Sequence, residues 1–250
     1  MVALVASLGV VAQEVEQVAD PVCVPSEEDI LQRTIDSSSP YYLPRLLGLY
    51  LSGERPLTLE EYHYLYYGFA YQDAYKPLDT NVDKEEMLSL MKGMDPDNVE
   101  RERLDQLLIR ANAARMRDPF SPQILNVLTF VHQTLGNDGE AQRWATHLNG
   151  VIRTILSSGD GLTIKSPRHI LMFDHALDAM AAEGLAAGDA RVVSRTVEFV
   201  PLMSTQVIDG KKRKGLYFNF ERIYRNKPEG YTYKRERTWQ FNNLKPREYK

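Results

Sequence analysis

The feature that most constrains this chain is a change of period. From residue 26 to about 183, apolar residues recur at helical spacing between repeated stop and start signals; after that they alternate every second residue. Ser26-Glu27-Glu28-Asp29 opens a short helix with Ile30, Leu31 and Ile35 on its apolar side, and Ser37-Ser38-Ser39-Pro40 breaks it. Tyr41 to Leu51 reads as a second helix, with Leu43, Leu46, Leu47 and Tyr50 on one face. Thr58-Leu59-Glu60-Glu61 is a capping box that opens a third, where Leu59, Tyr62, Leu65, Tyr66 and Phe69 fall at helical spacing. Gly68 lies inside that helix, which points to close approach by another element.

Further signals predict a helix over 83–92 capped by Asp83, and one entered at Asp95-Pro96 with Val99, Leu104, Leu107, Leu108 and Ala111 as its stripe. Ser121-Pro122 opens the next, and Gly136-Asn137 ends it before a helix over 140–157. This last pair resembles one unit of a tetratricopeptide array, without a clean second copy. A helix is expected over 167–183. Strands are expected near Val193–Met203 and over Gly215–Tyr224, with Asp209-Gly210 as a hairpin turn and a third strand over Tyr231–Phe241. The fold class that follows is α+β, mainly α: stacked helical hairpins with a small C-terminal antiparallel hairpin or sheet. One helix-rich domain is expected over 22–225.

Val2 to Ala12 is a short apolar run with Val10 and Ala12 at the −3 and −1 positions of an export cleavage site. It is too short to span a bilayer. No positive lead precedes it, which suggests a start inside a longer signal. The competing reading is a buried N-terminal helix. Export implies a periplasmic, surface-associated or secreted protein. At the other end, residues 211–250 carry thirteen Lys/Arg against four Asp/Glu in a chain of net charge −4. That end, with 226–250 as a basic extension, can lie on an acidic body or partner, or meet an anionic lipid or polysaccharide. It carries no nucleic-acid-binding motif.

The runs Asp36-Ser-Ser-Ser-Pro-Tyr-Tyr-Leu-Pro-Arg-Leu-Leu47 and Leu57-Thr-Leu-Glu-Glu-Tyr-His-Tyr-Leu-Tyr-Tyr-Gly68 resemble a bacterial domain-of-unknown-function family, number 4919. Ser157-Ser-Gly-Asp-Gly161 and Leu216-Tyr-Phe-Asn219 are similar to its later landmarks, so the likeness spans about residues 26–223. The resemblance implies an exported protein and one compact domain. It transfers no catalytic residues.

Tyrosine is abundant, 14 residues against 8 Phe, and six tyrosines fall between Tyr62 and Tyr75 beside Glu60, Glu61 and His63. A carboxylate, an imidazole and phenols on one helix can bind a sugar or a protein, or run acid–base chemistry. The alternative is that the glutamates complement the helix dipole and the tyrosines pack the next helix. Candidate binding residues are Glu60, Glu61, His63, Tyr64, Tyr67, Tyr71 and, in a Gly-Asp-Gly loop, Asp160. The lone Cys23 argues against an internal disulfide and any Cys-based zinc site. His169, Asp174 and His175 lack metal-ligand spacing, and no nucleophile elbow, phosphate loop or dinucleotide fingerprint occurs. No cofactor is expected. The favoured expectation is a non-enzymatic binding protein whose partner is an envelope protein or glycan. A glycan hydrolase using Glu60, Glu61 or Asp160 is the other reading.

Overall fold

The structure is a computed structural model that describes residues 20–208 and 211–225. The apolar run 1–12, the Asp209-Gly210 turn, the expected third strand and the basic extension 226–250 lie outside the described residues. Two compact units lie within the span read as one helix-rich domain: Thr80–Asn149, and Val22–Asp79 together with the chain from Gly150 onward.

The first unit is built from consecutive helices. Helix α4 (Val82–Met91) packs on α5 (Arg101–Arg115), and α5 on α6 (Pro122–Thr134). Asn81, not Asp83, caps α4, its side chain accepting the Lys84 N–H at 3.2 Å. Asp95-Pro96 does not start α5. The Asp95 carboxylate accepts the Asp97 N–H at 3.1 Å, a local turn that competes with helix, and α5 begins only at Arg101. Its buried stripe is Leu104, Leu107, Ala111 and Ala114. Ser121 caps α6 with Pro122 in the first turn, as the spacing predicts. Gly136, at φ +75°, makes the turn into α7 (Asp138–Ser157), whose first part completes this unit. There the Trp144 ring lies under two guanidinium groups, Arg115 at 4.9 Å and Arg143 at 4.6 Å.

The second unit holds α1 (Glu27–Ile35), α2 (Leu43–Ser52), α3 (Leu59–Phe69), the last part of α7, α8 (Phe173–Ala182) and the sheet. Helices α1 and α2 both pack on α3. Every α3 residue from Glu61 to Phe69 is buried. A Cβ on Gly68 would come within 2.8 Å of the Thr34 methyl, which is the close approach the sequence anticipated. The interior also takes Ile155, Leu171, Ala176, Val200, Phe218 and Ile223.

The sheet order is β1-β4-β3-β2, from Arg168–His169, Lys211–Asn219, Val197–Ile208 and Arg191–Val192. The β3–β4 and β2–β3 pairs are antiparallel, but β1 runs parallel to β4, so the sheet is mixed rather than wholly antiparallel. Residues 168–169 are therefore strand, not the start of a helix. The His169 N–H is taken by the Ser158 hydroxyl at 2.7 Å and the Ile170 N–H by the Asn219 carbonyl at 3.0 Å, which ties the segment extended along β4. Strand β4 ends at Asn219, and Glu221–Tyr224 forms a 3₁₀ turn. Gly215 is required in β4, because a Cβ there would lie 2.4 Å from the Val200 carbonyl oxygen. No described helix is long and apolar enough to cross a membrane.

Candidate functional site

Helix α3 positions most of the polar groups singled out in the sequence, and its capping box settles the first of them. The Thr58 hydroxyl accepts the Glu61 N–H at 3.1 Å, and the Glu61 carboxylate accepts the Thr58 N–H at 2.9 Å. Arg55 then donates both terminal nitrogens to the same carboxylate, at 2.8 and 2.5 Å. The Arg55 fork, outweighing burial, holds Glu61 below the usual carboxylate range. Glu61 is thus a fixed anion that starts the helix and cannot serve as a general acid. Glu60, one residue earlier, is exposed, and its carboxylate is hydrogen-bonded by the Tyr41 hydroxyl.

The tyrosines of α3 turn inward. Tyr64 donates its hydroxyl to Asp29 at 2.8 Å and stacks on Tyr41 with ring centres 4.2 Å apart. Arg33 pairs with Asp29 at 2.8 Å and lies over both rings, 5.7 and 5.6 Å from their centres. Tyr66 meets the His175 Nδ1 at 2.8 Å and accepts the Leu171 N–H at 3.1 Å. Tyr67 donates to the His169 carbonyl at 3.1 Å, and Tyr75 to the Leu171 carbonyl at 2.7 Å. Burial pushes the phenols of Tyr62, Tyr64 and Tyr67 up. These rings are interior packing with satisfied hydroxyls, not the walls of an open groove. Tyr71 is half-buried, with the Arg225 guanidinium 4.4 Å over its ring.

Asp160 stands apart. Its carboxylate accepts the Leu162 N–H at 2.8 Å, and its own N–H meets the Ser166 hydroxyl at 3.3 Å, which is turn chemistry. Gly159 is needed there because a Cβ would lie 2.3 Å from the Pro167 carbonyl oxygen. Among the described residues no hydrogen bond or ion pair joins Asp160 to α3. The loop reaches α3 through Ser158, whose hydroxyl interacts with Tyr67.

Three residues that sequence reasoning did not assign to this place gather around His63, Tyr67 and His169. Cys23, in the segment before α1, has its N–H on the Ser157 carbonyl at 2.7 Å and its sulfur 3.8 Å from the His63 Nε2. Arg222, from the 3₁₀ turn, approaches the His169 Nδ1 at 3.3 Å and donates to the Pro25 carbonyl at 3.0 Å. It also lies 5.2 Å over the Tyr67 ring. The His63 and Tyr67 rings meet edge to face with centres 5.0 Å apart. The third is Ser158, through its contacts to His169 and Tyr67. No local signal marks these residues: a lone cysteine, a serine at a helix end and an arginine after a strand carry no motif.

Burial, and then the Arg222 charge, pushes the His63 imidazole down to about 4; burial, Arg222 and His63 push His169 down to about 3. Burial, then the Glu60 and Asp29 carboxylates, push the Cys23 thiol up. At neutral pH the cluster is therefore a protonated thiol, two uncharged imidazoles and one fixed guanidinium. None of these groups is poised to exchange a proton near neutrality, as efficient acid–base catalysis requires.

A family model described as a domain of unknown function (DUF4919) matches residues 28–229. No curated protein and no solved structure matches the chain.

Proposed function

This chain belongs to the DUF4919 family of domains of unknown function, and from that premise we propose that it is an exported, non-enzymatic binding protein whose partner is a protein of the cell envelope. The observation that carries the reading is the Tyr41–Tyr64 stack with Arg33 over it and Asp29 and Glu60 beside it. Stacked phenols backed by a guanidinium and two carboxylates make a rigid, amphipathic patch. Tyr and Arg of this kind are the residues that dominate protein–protein contacts. Tyr64 is buried and Tyr41 half-buried, and Arg33 lies over both rings, which leaves less ring surface for a stacked sugar than for a protein loop.

The proton-holding behaviour of the cluster supports binding over turnover, and the commitments of Glu61 and Asp160 to local structure leave the glycan-hydrolase reading without a carboxylate pair. The test has two arms. Arg33→Glu and Tyr41→Ala, each confirmed to fold by circular dichroism, should lose at least ten-fold in retention of an envelope protein that wild-type protein holds in reciprocal cross-linking. Retention equal to wild type in both variants contradicts the patch. Export is tested separately. The native gene product should fractionate outside the cytoplasm and lack the apolar run 1–12 at its mature terminus; an intact, cytoplasmic product contradicts it.

A further inference from the structure

We propose that the far end of the β3–β4 pair is an arm that docks on a bilayer containing anionic phospholipid. The two strands stay paired well past the rest of the sheet. β1 meets β4 only at Phe218 and Asn219, and β2 meets β3 only at Glu198 and Phe199. Beyond the bridge of Ala187 to Leu202 and the register shift after Pro201, the pairs Gln206–Arg213, Val207–Lys212 and Ile208–Lys211 have no third strand among the described residues. A two-stranded ribbon is marginal in water by itself, and a surface to lie on offsets that weakness.

Charge and apolar exposure coincide on this arm. Lys211-Lys212-Arg213-Lys214 sets four cations in succession. Among the described residues Lys212, Arg213 and Lys214 enter no ion pair, so their charge is uncommitted. Residues paired across two strands, and residues two apart on one strand, share a face, which puts Val207, Lys212 and Lys214 together. All three are exposed, Val207 at 66%, whereas Gln206 and Arg213 on the opposite face are half-buried. Met203, between the sheet and the arm, is 77% exposed. Apolar side chains interleaved with lysines are the composition of interfacial segments: the apolar groups enter the acyl boundary while the cations meet the lipid phosphates. A nucleic acid or an acidic polysaccharide complements the lysines but leaves Val207 and Met203 in water. A bilayer answers both.

This surface does not rest on the envelope-protein reading, and either can fail alone. The test is co-sedimentation of the full chain with vesicles of phosphatidylcholine, with and without phosphatidylglycerol, at about 0.1 M salt. Wild-type protein should sediment with the anionic vesicles and not with pure phosphatidylcholine. Lys212→Glu with Lys214→Glu should weaken that binding at least ten-fold at an unchanged urea midpoint. Met203→Ser with Val207→Ser should weaken it at least five-fold while leaving retention on heparin as in wild type. Three results overturn the proposal. The first is no binding of the wild-type chain to phosphatidylglycerol vesicles. The second is full binding by the charge-reversed variant, which would assign the membrane contact to the basic residues of 226–250. The third is full binding by the Met203→Ser, Val207→Ser variant, which would make the arm a general polyanion binder.

Discussion

Helices α3 and α5 are both amphipathic on paper and differ completely in the folded protein. α5 buries one stripe, Leu104, Leu107, Ala111 and Ala114, and leaves its other residues half-buried or exposed, with Ile109 at 64% exposure. α3 is buried on every side from Glu61 to Phe69. The difference is tyrosine. A phenol ring fills a core like phenylalanine provided its hydroxyl finds a partner. Four hydroxyls, three from α3 and one from Tyr75 just after it, find partners elsewhere in the unit: Asp29 on α1 for Tyr64, His175 for Tyr66, and the His169 and Leu171 carbonyls for Tyr67 and Tyr75. What resembles a polar face along the helix is the inside of a hydrogen-bonded core.

The sharpest way to break this contrast is truncation. Tyr66→Ala should cost about 3–5 kcal/mol in urea unfolding, whereas Ile109→Ser on α5 should stay within about 0.5 kcal/mol. Similar losses at both positions would erase the distinction. Acid comes next. The folded pKa values of His63 and His169 lie below that of an unfolded histidine, so their contribution is intact above pH 6.5. It is lost as pH falls toward 4 and 3, because the unfolded chain takes up protons that the folded one refuses. His63 alone should account for about 3 kcal/mol of that loss, and His63→Gln should flatten the profile.

Two glycines of α7 sharpen the comparison with opposite signs. A Cβ on Gly150 would lie 2.3 Å from the Tyr62 ring, whereas one on Gly139 would meet nothing within 4 Å. Gly150→Ala should destabilise by about 1–3 kcal/mol, and Gly139→Ala should stabilise by up to about 1 kcal/mol. The smallest effect concerns where α3 starts: Thr58→Ala should cost about 1 kcal/mol by removing half of the capping box. No measurable change would mean that the Arg55–Glu61 pair fixes the helix start unaided.

Local signals made α5, α6 and the β3–β4 pair legible, because a helix or hairpin that faces solvent on one side writes its burial into the period of its sequence. The Ser121-Pro122 entry, the Thr58 capping box and the crowding at Gly68 were legible for the same reason: each is settled by atoms a few residues apart or by a missing side chain. Inward packing of the α3 tyrosines was one of the two readings open from the sequence, but their partners were not legible, since Tyr67 and, just after the helix, Tyr75 reach carbonyls about a hundred residues away that no window contains. Strand β1 escaped because two residues carry no period. The approach of Cys23 and Arg222 to His63 and His169 joins a segment before the first helix to a turn after the last strand, a pairing of distant positions that only the fold creates.

The measurement that tests the interior character of α3 most directly is an NMR titration of the histidine rings across pH 3–8. The chain has five histidines, and the cluster predicts that His63 and His169 stay uncharged until about pH 4 and about pH 3. Midpoints near 6.5 at both rings would mean that water surrounds them, and the buried tyrosine core would then be wrong.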